Sequence, residues 1–244
     1  MSDLLSGLLN SAQLWRASEN TNYHCPTQNT GIKELNQLLP GSGWPLGNVT
    51  EMLCDTPGIG EIRLLAPLLQ ELSKQDKWML WVSPPFLPYP SGLESQGINH
   101  QKVLLARNLN TPEKLWAAEQ GLRSGQCSVV LLWADRITNT QVRRLQTACV
   151  DSSAHCFIFR QARAANEHSS APLRLGLSAV AKASATSTLQ LSIIKCRGRW
   201  PHNHPVILNI PAIFTKARLS TFAELTTTQT STQTSTQTAI SSAK

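Results

Sequence analysis

Asn48-Val49-Thr50-Glu51-Met52-Leu53-Cys54-Asp55-Thr56-Pro57-Gly58-Ile59-Gly60-Glu61-Ile62 is the stretch on which the reading of the chain turns. Residues 48–53 read as a strand, and 55–60 as a loop punctuated by one Pro and two Gly. From residue 61 apolar side chains return at helical spacing (Ile62, Leu65, Leu68, Leu69, Leu72), which predicts a helix over 61–74. Strand, Gly-containing loop and helix together make the geometry that cradles phosphate with backbone N–H groups. A working cradle adds a Lys for the β/γ-phosphates and a Ser or Thr hydroxyl for Mg²⁺. With Gly60 as the final Gly, Glu61 stands where the Lys belongs and Ile62 where the hydroxyl belongs. A carboxylate at ~4 Å from a phosphate charge costs on the order of 4 kcal/mol at an effective dielectric of 20. Ile62 cannot ligate a metal, and Pro57 removes one N–H. Pro57, Gly58, Gly60, Glu61 and Ile62 therefore form a degenerate phosphate loop, and no nucleotide turnover or cofactor is expected.

Outward from this loop, strands alternate with helices. Strands are predicted at 78–82, 103–106, 128–133, 156–159, 189–195 and 206–210. Helices are predicted at about 111–123, with Thr111 as cap, and from Thr138 or Thr140 to about Val150. This order predicts an α/β fold with a mostly parallel sheet covered on both faces. Residues 83–90 hold four prolines and read as a rigid exposed loop. Before the main domain (31–215), Leu4, Leu5, Leu8, Leu9, Ala12 and Trp15 recur at helical spacing, followed by a polar tether up to residue 30. This N-terminal helix either packs on its own domain or docks a partner through Leu5, Leu8 and Trp15. Residues 226–238 repeat Thr, Gln and Ser, so 216–244 reads as a disordered tail.

The 244 residues are 41% hydrophobic with a net charge of +7. No apolar run approaches the ~20 residues of a membrane span. The N-terminus lacks a signal-peptide pattern, and the six cysteines form no C-x-x-C pair, so a reduced cytoplasmic setting is expected. Up to Asp135 the charge balance is −3; from Arg136 onward it is +10. A basic half suits an anionic partner or simply solubility. Lys195, Arg197 and Arg199 with Trp200 form its densest cluster, a pattern suited either to weak single-stranded DNA binding or to a solvated sheet edge. Arg143 and Arg144 are a second basic pair, read as a solvated helix face or a DNA or partner contact. Arg160 and Arg163 are placed on the same side as Asp135, which ends a strand where phosphate-loop proteins keep a Mg²⁺-associated acid. His202 and His204 lack companions for a metal site, and no nucleophile with a base shows a local signature.

Gly41-Ser42-Gly43-Trp44-Pro45-Leu46-Gly47 and Pro57-Gly58-Ile59-Gly60-Glu61 together resemble the ImuA family, RecA-like accessory factors of SOS translesion synthesis. The likeness continues in Trp116-Ala117-Ala118-Glu119-Gln120, Leu122-Arg123-Ser124-Gly125, Arg144-Leu145-Gln146 and Lys195-Cys196-Arg197-Gly198-Arg199-Trp200-Pro201, and covers about 31–210. The resemblance implies a RecA-like fold and a non-catalytic role in error-prone DNA synthesis. Its implied partners are an ImuB-like polymerase-related protein, an error-prone DnaE-type polymerase and RecA. The middle of the chain, about 64–159, is also similar to the SulA cell-division inhibitors. That similarity implies the alternative function, an SOS inhibitor binding the tubulin-like division protein. A residual ATPase is a third reading.

Overall fold

The computed structural model describes residues 25–180, 187–197 and 204–210. The N-terminal stripe (Leu5, Leu8, Trp15), Arg199, Trp200 and the Thr/Gln/Ser tail lie outside these residues. The described chain runs β1 (Thr27–Gln28), α1 (Lys33–Leu38), β2 (Trp44–Pro45), β3 (Val49–Cys54), α2 (Glu61–Leu72), β4 (Trp78–Val82), α3 (Pro90–Ser95) and β5 (Val103–Ala106). It continues through α4 (Thr111–Arg123), β6 (Cys127–Trp133), α5 (Asn139–Ser152), β7 (His155–Gln161), β8 (Leu173–Ala179), β9 (Ser187–Cys196) and β10 (Val206–Ile210).

β1 and β2 form a small antiparallel ribbon; the other eight strands form one sheet in the order β10-β9-β8-β3-β7-β6-β4-β5. From β8 to β5 all neighbours are parallel. β9 and β10 extend the β8 side antiparallel, so the sheet is mixed. The strand β8 was not foreseen from the sequence. Leu173, Leu175 and Leu177 alternate with Arg174, Gly176 and Ser178, the pattern of a strand whose two faces differ.

Two apolar layers hold the sheet. On one face Leu64, Leu65, Leu68 and Leu69 of α2 pack against Met52, Leu131 and Phe157. On the other, Leu115 and Leu122 of α4 and Val142, Leu145 and Cys149 of α5 pack against Val49, Val130 and Ile158. Helices thus cover both faces of the parallel strands, as their alternation predicts. The start of α4 is set one residue earlier than expected. Asn110, not Thr111, is the cap, its side chain accepting from the Glu113 N–H while Glu113 accepts from the Asn110 N–H. Thr138 caps α5 in the same reciprocal way with Gln141. Gly31 lies at φ +77 against Pro67 of α2, where an added Cβ would come within 2.3 Å of the Pro67 Cβ. Only glycine allows that approach. Among the described residues no helix is long and apolar enough to cross a membrane.

The central strand β3 is buried at all six positions, including Glu51. Arg174 on β8 donates Nε to Glu51 Oε2 at 2.6 Å, and Ser169 donates its hydroxyl to Oε1 at 2.8 Å. Arg160 on β7 lies 3.4 Å from Oε1. The guanidinium of Arg174 also reaches the carbonyls of Ala164 and Glu167. The carboxylate and the Arg174 guanidinium are thus well partnered, which is what permits a charge inside a sheet, while the buried Arg160 Nε has no hydrogen-bond partner among the described residues.

His155 opens β7 in a buried position, its Nε2 3.1 Å from Gln28 Oε1. Burial pushes its pKa down to about 4. Between that value and the ~6.5 of an unfolded His, the unfolded chain binds a proton that the folded chain refuses. Stability is therefore lost as pH falls, by roughly 2–3 kcal/mol between pH 7 and about pH 4.5. Urea unfolding at both pH values checks this: His155→Gln should flatten the difference by that amount, and an unchanged difference would refute the assignment.

Candidate functional site

The carboxyl ends of β3, β4, β6 and β7 meet where open α/β sheets hold their ligands. β3 leaves the sheet into the Gly loop, and α2 begins at Glu61 after Gly60 in a left-handed conformation (φ 118). The loop N–H groups do converge, as the sequence predicts. What they converge on is Glu61 itself. Its Oε1 accepts from the Gly58 N–H at 2.9 Å and its Oε2 from the Gly60 N–H at 3.1 Å. The carboxylate is buried and fills the cradle with its own negative charge, at the N-terminus of a helix that favours it. Ile62 packs against the apolar layer under α2.

Removing this carboxylate leaves two partly buried donors without an acceptor. Glu61→Ala should cost about 1–3 kcal/mol in urea unfolding, while Glu61→Gln, which keeps one acceptor oxygen, should cost less. Equal stability of wild type and Glu61→Ala would show that the loop does not depend on it.

Beside the loop is a cleft of about 260 Å³ whose walls include Cys54, Glu61, Ser83, Lys114, Trp133 and Asp135. Trp133 stacks on Phe159 with centroids 4.6 Å apart. Burial, with Glu61 and Asp55 adding to it, pushes the Cys54 thiol up to about 12, so it stays protonated and is no nucleophile. Asp135 accepts from Gln161 Nε2 at 3.3 Å, and its backbone carbonyl accepts from Arg160. Arg160 thus shares a side with Asp135 as expected, but its guanidinium is turned inward onto Glu51 and Glu167.

A second hollow, about 250 Å³, adjoins this cleft through Glu61, Pro85 and Trp133. Its outer wall is the proline-framed loop 83–90, which exposes Phe86 (65%), Leu87 (62%) and Tyr89 (73%). Three large apolar side chains within four residues, held outward by prolines, have a docking surface's composition. The sequence reading took this loop as rigid and exposed and did not single out its apolar side chains; the unbroken Phe-Leu-Pro-Tyr run was the available signal.

Among the described residues, Lys195, Arg197, Arg143 and Arg144 do not gather as one exposed stripe. Lys195 donates Nζ to the Ser169 carbonyl at 2.7 Å, and desolvation, with Arg174 nearby, lowers its pKa. Through Ser169 it is linked to the Glu51 network, and it is half-buried at this point of β9. The Arg197 N–H donates to the Pro172 carbonyl. Arg143 is exposed on α5, and Arg144 is bound to Glu119.

Residues 47–156 match the family model described as "Cell division inhibitor SulA". Over 98 residues the chain is 38% identical to the Cell division inhibitor SulA of Yersinia pestis (strain Pestoides F) and to that of Yersinia pseudotuberculosis serotype O:1b (strain IP 31758). The aligned part is 40% of this chain and 58% of each relative, so the chain spans less than two thirds of the curated relatives it matches. The match begins at residue 47, ahead of the 64 expected, and so takes in β3 and the Gly loop. These likenesses overturn the expectation, drawn from the ImuA-like motifs, of an accessory role in translesion synthesis. With that role goes the reason for expecting an ImuB-like protein, a DnaE-type polymerase or RecA as partners. Between Gly47 and Cys156 this chain is similar to the SulA cell-division inhibitors.

Proposed function

We propose that the protein is an SOS-induced inhibitor of cell division that acts by binding the tubulin-like division protein in the cytoplasm, without turning over a substrate and without a cofactor. The observation that carries this reading is the match over residues 47–156, which spans the Gly loop, the proline-framed loop and the cleft walls other than those from β7. The sheet is read as RecA-like, since the central β3 feeds the Gly loop and α2 in the order that such a fold requires. Glu61 supports a binding role: with the cradle occupied by a side chain of the protein, the loop serves as a fixed surface.

Phe86, Leu87 and Tyr89 are the residues we assign to the partner contact. The test is GTP-dependent polymerisation of the purified division protein, followed by light scattering with increasing amounts of this protein, together with cell length on overproduction. Inhibition of polymerisation and filamentous cells are the expected results. Unaffected polymerisation and normal cell length would overturn the proposal.

A further inference from the structure

The groove between α4 and α5 lies on the other helical layer from the proline-framed loop, and its side chains come from motif pieces far apart in sequence. Trp116 stands 65% exposed at its rim. Pro112, Leu115 and Leu145 give it an apolar lining, and its volume is about 330 Å³. Glu119 lies in the groove with its side chain only 9% exposed. Its Oε1 accepts from Arg123 Nε at 3.1 Å, one helical turn on, and its Oε2 accepts from Arg144 of α5 at 2.6 Å.

One buried carboxylate thus anchors two guanidiniums that are themselves more than half exposed, at 53% and 64%. The arrangement carries a net positive charge, and it fixes two long side chains that would otherwise be mobile. Each guanidinium has five N–H donors, so donors beyond those given to Glu119 remain within reach of an incoming acceptor. An apolar hollow with an aromatic rim, Arg144 in its lining and Arg123 held beside it by the same carboxylate is complementary to an apolar side chain flanked by carboxylates. It is poorly suited to a phosphate chain, which needs a longer run of cations. Exposed Glu113, one turn before Trp116 on the same side of α4, repels any anion, phosphate or carboxylate, so a partner's carboxylates belong at the Arg123 end of the groove, about 15 Å further along the helix.

We infer that this groove binds an acidic amphipathic segment of a protein partner, with Trp116 and the apolar lining taking its apolar side chain and Arg123 and Arg144 its carboxylates. This site is independent of the inhibitor reading above and stands or falls separately.

The test uses the full chain and three fluorescein-labelled probes: a helical peptide of Leu and Glu, the same peptide with Gln for every Glu, and an oligothymidylate. Fluorescence anisotropy should show the Glu peptide binding at least about tenfold more tightly than the Gln peptide, with the difference shrinking in high salt. Arg144→Gln, Arg123→Gln and Trp116→Ala should each weaken the Glu peptide at least about fivefold, with circular dichroism unchanged because all three side chains are exposed. A Phe86→Ser, Leu87→Ser, Tyr89→Ser variant should bind it like wild type. Equal affinity for the Glu and Gln peptides, variants that bind like wild type, or loss of the peptide in the proline-loop variant would overturn the proposal. Tighter binding of the oligothymidylate, lost in the arginine variants, would assign the groove to nucleic acid and overturn it too.

Discussion

Glu51→Gln should lower the free energy of unfolding by about 3–5 kcal/mol, out of the roughly 5–15 kcal/mol a domain of this kind holds. Glu51 is fully buried in the central strand, and its two oxygens answer Arg174, Ser169 and Arg160. Taking away the negative charge leaves the Arg174 guanidinium buried with only carbonyl acceptors, while Arg160 keeps Glu167. The cost is that of a stranded charge and exceeds that of a single lost hydrogen bond. Urea unfolding gives the magnitude. The companion variant Glu51→Leu with Arg174→Met removes both charges together and should recover much of the loss, because apolar replacements of a buried pair are often tolerated. A Glu51→Gln variant within about 1 kcal/mol of wild type would show that the pair is not stabilising.

Replacing Phe86, Leu87 and Tyr89 by Ser should raise the concentration needed for half-inhibition of division-protein polymerisation at least ~30-fold, since a single interface hot spot is worth about 2 kcal/mol. Folding should be spared. All three side chains are well exposed, and the loop is framed by Pro84, Pro85, Pro88 and Pro90, which the substitutions leave alone. Phe86 also leans over Gly58, where an added Cβ would meet its ring at 3.3 Å, so the triple change clears the hollow's outer wall. Inhibition within about threefold of wild type would place the contact elsewhere on the chain.

Elements built from local pattern were legible in the sequence. The strand Val206–Ile210 and the helix beginning at Glu61 stand where periodicity put them. β8 escaped because a buried Arg174 and the small Gly176 interrupt an otherwise plain alternation of leucines. The loop's missing Lys and hydroxyl could be read directly, but the fate of Glu61 could not. From sequence it is only a charge hostile to phosphate; the backbone must be built before it becomes the group that fills phosphate's place. The tie between Lys195 and the Ser169 carbonyl was out of reach for a related reason: the two are 26 residues apart and no spacing rule connects them. The groove between α4 and α5 exists in the sequence only as separate pieces, since Trp116, Glu119 and Arg144 come together through the packing of two helices.

The position of β3 has a consequence for how the protein is made. This strand pairs on one side with β7 and on the other with β8, so neither neighbour exists when it leaves the ribosome. Arg174, the tightest partner of Glu51, is 123 residues further along. At ~5–20 residues per second, translation takes roughly 6–25 s to supply it. For most of that interval this strand, with a charge at its middle, has neither native neighbour, because β7 emerges only shortly before β8, and the sheet cannot close from its amino-terminal end. Closure waits for the basic second half of the chain, which makes the nascent protein a substrate for chaperones and proteases for longer than a fold assembled from hairpins would be.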